Sequence, residues 1–248
     1  MRALILAAGY AVRLYPLTKQ YPKPLLEVGK RPIINYIVEK LESAGQIKEI
    51  TVITNSKFAS IFKKWASRIN CSKPLDVVND LTSTPFDKRG AIGDMDFAIS
   101  KKNISEDLLV IGGDNLFDGN LEDFLDFAKK SGGRPVIGAY NIGNLREAAK
   151  YGVLKLDKNK KIVDFKEKPK KPKSTLVAMC LYYFPRRKLK LIKEYLKDKE
   201  HKSDAIGFYI DWLRKKVPVY GFVYEGLWYD IGDKKFYRRA EDKFKQGG

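Results

Sequence analysis

The fold is decided by the stretch LILAAGYAVRLYPLT at residues 4–18, which PKPLL follows at residues 22–26. Its apolar beginning is too short for a typical helix and is closed by Gly9, which is typical of a buried parallel strand that ends in a tight loop. A loop at the carboxyl end of a first strand can direct backbone N–H groups at an anion, and Arg13 and Lys23 add two cations to it. The stretch therefore predicts a triphosphate-binding loop.

Neither common phosphate fingerprint, G-x-x-x-x-G-K-[ST] or G-x-G-x-x-G, follows this strand. The loop resembles the signature of the sugar-1-phosphate nucleotidyltransferases, L-A-x-G-x-G-[ST]-R-L-x-P-x-T followed by P-K-x-[LM]-L. Two positions depart from it, because Ala11 replaces the second glycine and Val12 replaces the threonine or serine. Ala11 lacks the backbone freedom of glycine, and Val12 offers no hydroxyl to a phosphate oxygen.

The composition, 44% hydrophobic and 31% charged over 248 residues, is that of a globular protein. We see no signal peptide and no apolar run near the ~18 residues of a membrane span, so we expect no membrane partner. Cys71 and Cys180 lack metal-ligand spacing, which predicts reduced thiols that fill the core of a cytoplasmic protein. The net charge of +18 would attract nucleotides or nucleic acids, but the lysine run at residues 166–173 has no aromatic residue for base stacking.

Strand and helix patterns alternate along the first half of the chain. Strands are predicted at residues 4–8, 50–54, 75–78 and 108–111, with helices from Pro32, Ser56, Ala91 and Leu121. This alternation predicts an α/β fold of three layers, Rossmann-like, with a mostly parallel sheet flanked by helices. Strands at 135–140, 152–157, 161–166, 175–184 and 219–224, and helices at 186–196, 205–215 and from Lys234, predict a smaller β-rich insertion. We expect one domain over residues 1–248, with a nucleotide-binding half at 1–118 and a sugar-phosphate-binding half at 119–248.

Two aspartates lie in further motifs that fit the same family. Asp114 follows a predicted central strand in GGDN, and Asp230 lies on a late turn in GLWYDIG at residues 226–232. Two carboxylates together with phosphate oxygens suit Mg²⁺, which prefers oxygen ligands. The resemblance implies that Asp114 and Asp230 hold Mg²⁺, while a turn-forming role is the alternative for either one.

The resemblance also implies residues for the two substrates. Those for the nucleotide are Leu6, Ala7, Ala8, Gly9, Arg13, Lys23 and Gly90, and those for the sugar phosphate are Tyr151, Gly152, Glu167, Lys168 and Tyr182. Glu167 would accept hydrogen bonds from sugar hydroxyls, and Lys168 would hold the attacking phosphate. Cys180 stands where the family keeps a glycine, which narrows the sugar pocket.

The predicted reaction joins a nucleoside triphosphate to a sugar 1-phosphate, with dTTP or UTP and glucose 1-phosphate favoured, and releases pyrophosphate. The attacking phosphate oxygen is already ionised, so no general base is needed, and Arg13 and Lys23 are the predicted catalytic residues. His201, the one histidine, lies in a lysine-rich stretch and is predicted to be solvent-exposed, which disfavours a Ser-His-Asp mechanism.

Other functions remain open from the sequence. A cytidylyltransferase for a phosphorylated alcohol would share the loop and the metal aspartate. A catalytically silent nucleotide-sugar-binding regulatory protein could use the same fold. A nucleic-acid binder is a third alternative and rests on net charge alone. The sequence leaves the base, the sugar and a homo-oligomer undecided.

Overall fold

The computed structural model describes residues 1–231 and Tyr237, with the backbone alone for Asp230. The strands are, in chain order, β1 (Arg2–Leu6), β2 (Glu27–Val28), β3 (Arg31–Pro32), β4 (Glu49–Thr54), β5 (Leu75–Asn79), β6 (Leu108–Gly112), β7 (Asn115–Phe117), β8 (Val136–Asn141), β9 (Gly152–Leu156), β10 (Ile162–Glu167), β11 (Leu176–Phe184), β12 (Tyr220–Tyr224) and β13 (Trp228–Asp230). The α-helices are α1 (Ile33–Ser43), α2 (Ala59–Ala66), α3 (Gly90–Lys101), α4 (Leu121–Lys130), α5 (Leu145–Ala148), α6 (Lys190–Lys197) and α7 (Ile206–Lys216).

One compact unit comprises Met1–Lys88, Ile111–Asp118 and the described residues from Gly226 onward. Its main sheet contains β1, β4 and β5, which pair in parallel in the order β1-β4-β5. The central strands carry continuous apolar runs because both faces of this sheet are covered. Helix α1 buries one face, formed by Ile33, Ile34, Ile37, Val38 and Leu41. The carboxyl ends of β1 and β4 therefore lie side by side, which is where a ligand loop is expected.

A second compact unit comprises Arg89–Val110 and Gly119–Glu225. Its strands are mostly antiparallel: β9 pairs with β10 and β11, β8 pairs with β11, and β12 joins β8 in parallel. A register shift between Ala178 and Tyr182 interrupts β11, and Cys180 within it has a φ of 54°. Helix α4 begins at an Asn120 cap whose side chain accepts a hydrogen bond from the Glu122 N–H.

The predicted α/β class is confirmed, with helices beside a sheet whose β1, β4 and β5 are parallel. Two local predictions were wrong. Helix α2 begins at Ala59 rather than at a Ser56 cap, because the Ser56 hydroxyl donates to Asn79 and the Phe58 N–H is bound by Asn55. The late turn at 226–232 contains a strand, β13, which pairs with β7.

Two side-chain environments also differ from the prediction. Cys71 and Cys180 are not in a disulfide bond, and both are half-buried instead of lying in the core. His201 is half-buried too, since its ring stacks on Tyr195 with the centroids 4.3 Å apart. The helix predicted from Lys234 lies outside the described residues, and the division of the chain at residue 118 stays a prediction. Within the described part of the chain, no helix combines the length and the apolar character that a membrane crossing requires.

Candidate active site

The loop after β1 is held by its carbonyl groups. Thr54 and Asn55, at the end of β4, donate side-chain hydrogen bonds to the carbonyls of Ala7 and Ala8 over 3.2 and 2.8 Å. The hydroxyl of Thr18 donates to the Ala11 carbonyl over 2.7 Å. These three donors fix the orientation of the loop, because each holds one carbonyl oxygen on the protein side.

Unlike its carbonyls, four backbone N–H groups of the same loop have no hydrogen-bond partner among the described residues. Among the described residues, none accepts a hydrogen bond from the backbone N–H of Ala8, Gly9, Ala11 or Val12. Ala11 has a left-handed backbone, with φ 47° and ψ 43°, and Val12 begins a single 3₁₀ turn that carries the exposed Arg13. Successive N–H groups in a loop of this kind form a concave donor surface that suits an anion.

Lys23 and Asp114 meet beside this loop. The Lys23 ammonium forms an ion pair with the Asp114 carboxylate, and their side chains are 11% and 32% exposed. Gly113, before Asp114, donates its N–H to the Leu6 carbonyl over 2.9 Å. A Cβ atom at Gly113 would lie 3.0 Å from both the Leu6 oxygen and the Pro24 ring, so the turn approaches closely because residue 113 is glycine. The structure thus brings together the strand end, the lysine and the first predicted metal ligand.

Asp230, the second predicted metal ligand, has its side chain outside the described residues. Its backbone pairs with Asn115, the residue that follows Asp114, in the β7–β13 ladder. Asn115 is buried, and Trp228 Nε1 donates to its Oδ1 over 2.6 Å. The described residues contain no group of three or more His, Cys, Asp or Glu side chains that could hold a metal. Asp114 still fits Mg²⁺, because it is a partly exposed oxygen donor beside the loop after β1.

In the second unit, the Glu167 carboxylate lies between two glycines. Gly152 is its partner in the β9–β10 ladder, and an added Cβ there would lie 3.0 Å from Glu167 Oε2. An added Cβ at Gly207 would lie 1.9 Å from the same oxygen. The side chain of Glu167 is only 8% exposed, and burial raises its pKa although the charge of Lys168, 3.7 Å away, lowers it.

The other predicted sugar-phosphate residues are grouped around Glu167. The Lys168 N–H donates to the Tyr151 carbonyl over 3.0 Å, and the Lys168 side chain is 59% exposed. Tyr182 is buried, and its pKa lies well above the usual value because of burial first, then because of Cys180 and the Glu167 charge. The second unit therefore combines an exposed cation with a buried carboxylate and a buried phenol.

Gly90 has a packing role. It begins α3 with a φ of 75°, and an added Cβ would lie 2.5 Å from the Ser203 carbonyl oxygen. The first N–H groups of α3, from Ala91 and Ile92, donate to the carbonyls of Asp204 and Ser203. These contacts explain why residue 90 is a glycine, and no ligand is needed for the explanation. The role of Gly90 in nucleotide binding stays a prediction.

Sequence reasoning missed two residues of these sites. Asn55 orients the loop after β1, and its signal was a polar residue directly after a buried strand. Gly207 gives space to the Glu167 carboxylate, and its signal was a glycine within an otherwise apolar helical pattern.

The architecture defines an α/β protein whose first parallel strand ends in a loop with an adjacent lysine–aspartate pair. A family model described as nucleotidyl transferase matches residues 2–247. The chain belongs to this nucleotidyl transferase family, which confirms the family predicted from the loop motif.

Several relatives support the assignment. The bifunctional protein GlmU of Methanocaldococcus jannaschii is 30% identical over 94% of this chain, and glucose-1-phosphate adenylyltransferase of Clostridium acetobutylicum is 29% identical over 93%. The matches cover 51% and 63% of those proteins, so the chain spans about half to two thirds of their length. In fold, the chain is similar to a UDP-glucose pyrophosphorylase solved with UDP-glucose, with a TM-score of 0.83, 21% identity, and coverage of 100% of this chain and 99% of that one.

Proposed function

We propose that this protein is a sugar-1-phosphate nucleotidyltransferase. The observation that carries the proposal is the ion pair of Lys23 with Asp114 at the strand end where Gly113 bonds to Leu6. A lysine held beside a loop whose N–H groups have no acceptor among the described residues is suited to a triphosphate, because amides and an ammonium together neutralise its charge. The family model and the relatives support the same activity.

In this proposal the loop and its cations act on the triphosphate. The backbone N–H groups of Ala8 and Gly9 would bind phosphate oxygens. The exposed Arg13 would hold the β- and γ-phosphates that leave as pyrophosphate, and Lys23 would hold the α-phosphate in the transition state. Asp114 positions Lys23, because their ion pair keeps the ammonium at the end of β1. Leu6 and Ala7 would contribute backbone to the same loop.

Asp114 and Asp230 are the residues that would hold Mg²⁺, which when bound would neutralise phosphate charge. Their backbones are neighbours through the β7–β13 pairing of Asp230 with Asn115. Asp114 would therefore have two tasks, as an ion-pair partner of Lys23 and as an oxygen donor.

For the sugar phosphate, we propose the Glu167 group in the second unit. The buried Glu167 carboxylate would accept hydrogen bonds from sugar hydroxyls, and its position is fixed by Gly152 and Gly207. The exposed Lys168 ammonium would bind the phosphate of the attacking substrate. The substrate phosphate needs no base, since its oxygen is already ionised near neutral pH, so positioning and charge neutralisation supply the catalysis.

Among substrates, we favour dTTP or UTP with glucose 1-phosphate. The motif resemblance supports this choice, and the fold likeness to a UDP-glucose pyrophosphorylase agrees with it. The relatives differ in the substrates that their names give, since one is named as a glucose-1-phosphate adenylyltransferase and another as a mannose-1-phosphate guanyltransferase. The preference for base and for sugar is therefore the first property to measure.

The test is a pyrophosphate-release assay with Mg²⁺. Five nucleoside triphosphates are each combined with glucose, galactose, mannose and N-acetylglucosamine 1-phosphates, and with choline phosphate. Lys23→Ala should lower the rate for the preferred pair by about 10²–10³-fold, as for other preorganised charge donors. Lys19→Ala, an exposed lysine of the same loop, is the matched control and should keep the wild-type rate. Release with choline phosphate alone would favour the cytidylyltransferase, and no release from any pair would favour the silent regulatory protein.

A further inference from the structure

A cavity of about 600 Å³ lies on the second unit, at the β9–β10 hairpin and the loop that follows it. Its lining includes Val153 and Lys155 from β9, Val163, Asp164 and Lys166 from β10, and Pro169, Lys171, Lys173 and Ser174 from the loop. A cavity of this volume is large enough for a nucleotide-sized molecule.

The cavity and the Glu167 group use different residues of the β9–β10 ladder. Glu167 pairs with Gly152, and the next pair along the ladder joins Lys166 to Val153. Neighbouring residues of a strand point to opposite faces of the sheet. Lys166 and Val153 line the cavity together with Leu154 and Val163, whereas Glu167 and Gly152 do not. The lining of the cavity therefore excludes the proposed sugar-phosphate residues Tyr151, Gly152, Glu167, Lys168 and Tyr182.

The cavity is strongly basic. Four lysines, Lys155, Lys166, Lys171 and Lys173, line it together with a single carboxylate, Asp164. Asp164 already contacts the Arg214 guanidinium at 3.3 Å, and Lys166 lies 4.0 Å from Asp211. Within the part of the chain that the structure describes, no carboxylate pairs with Lys155, Lys171 or Lys173. Three uncompensated ammonium groups around one cavity attract an anion that can neutralise them.

We propose that this cavity binds a small organic phosphate at a site separate from the Glu167 group. The lysines would donate hydrogen bonds to the phosphoryl oxygens, as point charges do in phosphate sites. The apolar lining residues Val153, Val163 and Pro169, called here the apolar floor, would contact the organic part of the ligand. The proposal does not rest on the proposed reaction, because none of the residues that line the cavity is assigned a role in that reaction.

The test is lysine footprinting of the full chain. The protein is labelled with an amine-reactive reagent in the presence of AMP or inorganic phosphate at matched ionic strength, and modification is measured at each lysine by mass spectrometry. AMP should protect Lys155, Lys166, Lys171 and Lys173, and at a lower concentration than inorganic phosphate. Equal protection of Lys158 and Lys170, which do not line the cavity, or no protection at all, would overturn the proposal. Equal potency of the two probes would overturn the role of the apolar floor.

A pair of charge-matched variants gives a second readout. The double variant Lys155→Glu, Lys173→Glu should weaken AMP binding about tenfold or more, because two attractive charges become repulsive. The double variant Lys158→Glu, Lys170→Glu changes the net charge equally on the same hairpin and loop, and should bind AMP as the wild type does. The footprint of the unmodified protein decides the question if the first variant does not fold. Labelling of Lys23 in the same samples separates binding at the proposed active site from binding at this cavity.

Discussion

At the scale of single residues, two side chains have backbone conformations that favour glycine. Ala11 has a φ of 47° and Cys180 a φ of 54°, and both stand where the family motifs have glycine. A left-handed backbone costs an ordinary residue about 1–2 kcal/mol, since Cβ crowds the following carbonyl. Both residues therefore have the left-handed backbone that a glycine would adopt without this cost.

Ala11→Gly should therefore be tolerated or should stabilise the protein. The substitution removes the strain of the left-handed backbone. The greater freedom of glycine in the unfolded chain lowers the free energy of unfolding by about 0.4–1 kcal/mol, which offsets part of this gain. Urea unfolding should give a free energy of unfolding equal to that of the wild type or up to about 1 kcal/mol higher. Ala66→Gly, the same change in helix α2, is the matched control and should lower stability by up to about 1 kcal/mol. Equal losses in both variants would contradict a strained Ala11.

Glu167 gives the protein a predicted pH dependence. Burial raises its folded pKa, so its protonated form is favoured in the native state, and the stability it contributes is lost as the pH rises through that pKa. Glu167→Gln cannot titrate, so its stability relative to the wild type should improve from pH 4 to pH 8, as measured by urea unfolding. The exposed Glu200→Gln controls for the loss of one charge. Parallel pH curves for wild type and Glu167→Gln would exclude this effect.

At the scale of elements, long segments with a periodic apolar pattern were predictable. Short elements, and elements whose limits depend on contacts with distant residues, were not. Helix α4 was predicted to begin at its observed first residue, Leu121, since four buried apolar side chains on one face and an asparagine cap are visible in the sequence. Strands β7 and β13 have three residues each, too few for a pattern, and they exist because they pair with each other. The start of α2 was missed because Ser56 binds Asn79, a partner that the sequence does not reveal.

The candidate sites follow the same rule. The loop, Lys23 and Asp114 were predictable from motifs, and the structure brings these three together in the first unit. The role of Gly207 was not predictable, because it depends on helix α7 packing against β10 with the Glu167 carboxylate between them. Local sequence does not encode such a contact between elements distant in the chain.

The α7–β10 contact predicts a penalty for Gly207→Ala. Alanine is the better helix former by about 1 kcal/mol, so the change would stabilise α7 if space were available. The added Cβ would instead lie 1.9 Å from Glu167 Oε2 and 2.8 Å from its Cδ, so the carboxylate must move. We expect a loss of about 1–3 kcal/mol in urea unfolding, as for other overpacked sites. Binding of the sugar 1-phosphate should weaken with it.

A double-mutant cycle separates this clash from other effects of the substitution. Adding Glu167→Ala to Gly207→Ala removes the carboxylate, and the two changes should show a favourable coupling of about 0.5–3 kcal/mol. Gly45→Ala is the control, because no atom lies within 4 Å of its added Cβ and its φ is not positive. It should leave stability unchanged or slightly increased. Additive effects of the two changes would place the cause of the loss elsewhere in α7.

At the scale of the whole molecule, 48 basic residues against 30 acidic ones produce a field that does not discriminate among anions. A triphosphate, a small organic phosphate and a nucleic acid are all attracted by it. Selectivity must come from local geometry, such as the loop N–H groups beside Lys23 or the lysine cavity of the β9–β10 hairpin. The nucleic-acid alternative rests on the field alone, so the affinity of any such binding should fall steeply as the salt concentration rises.

Any binding of duplex DNA should be independent of sequence and should weaken steeply with salt. Contacts to six or more phosphates would lose about 10³-fold in affinity between ~50 and ~200 mM salt, because condensed counterions are released on binding. Fluorescence anisotropy with two unrelated duplexes measures both properties. Lys23→Ala should leave this binding nearly unchanged while it lowers the rate of nucleotidyl transfer about 10²–10³-fold, since one charge among 48 contributes little to a diffuse field. Sequence-selective DNA binding that persists at ~200 mM salt would instead require a site with specific contacts to the bases. The excess of lysine would then serve nucleic-acid binding.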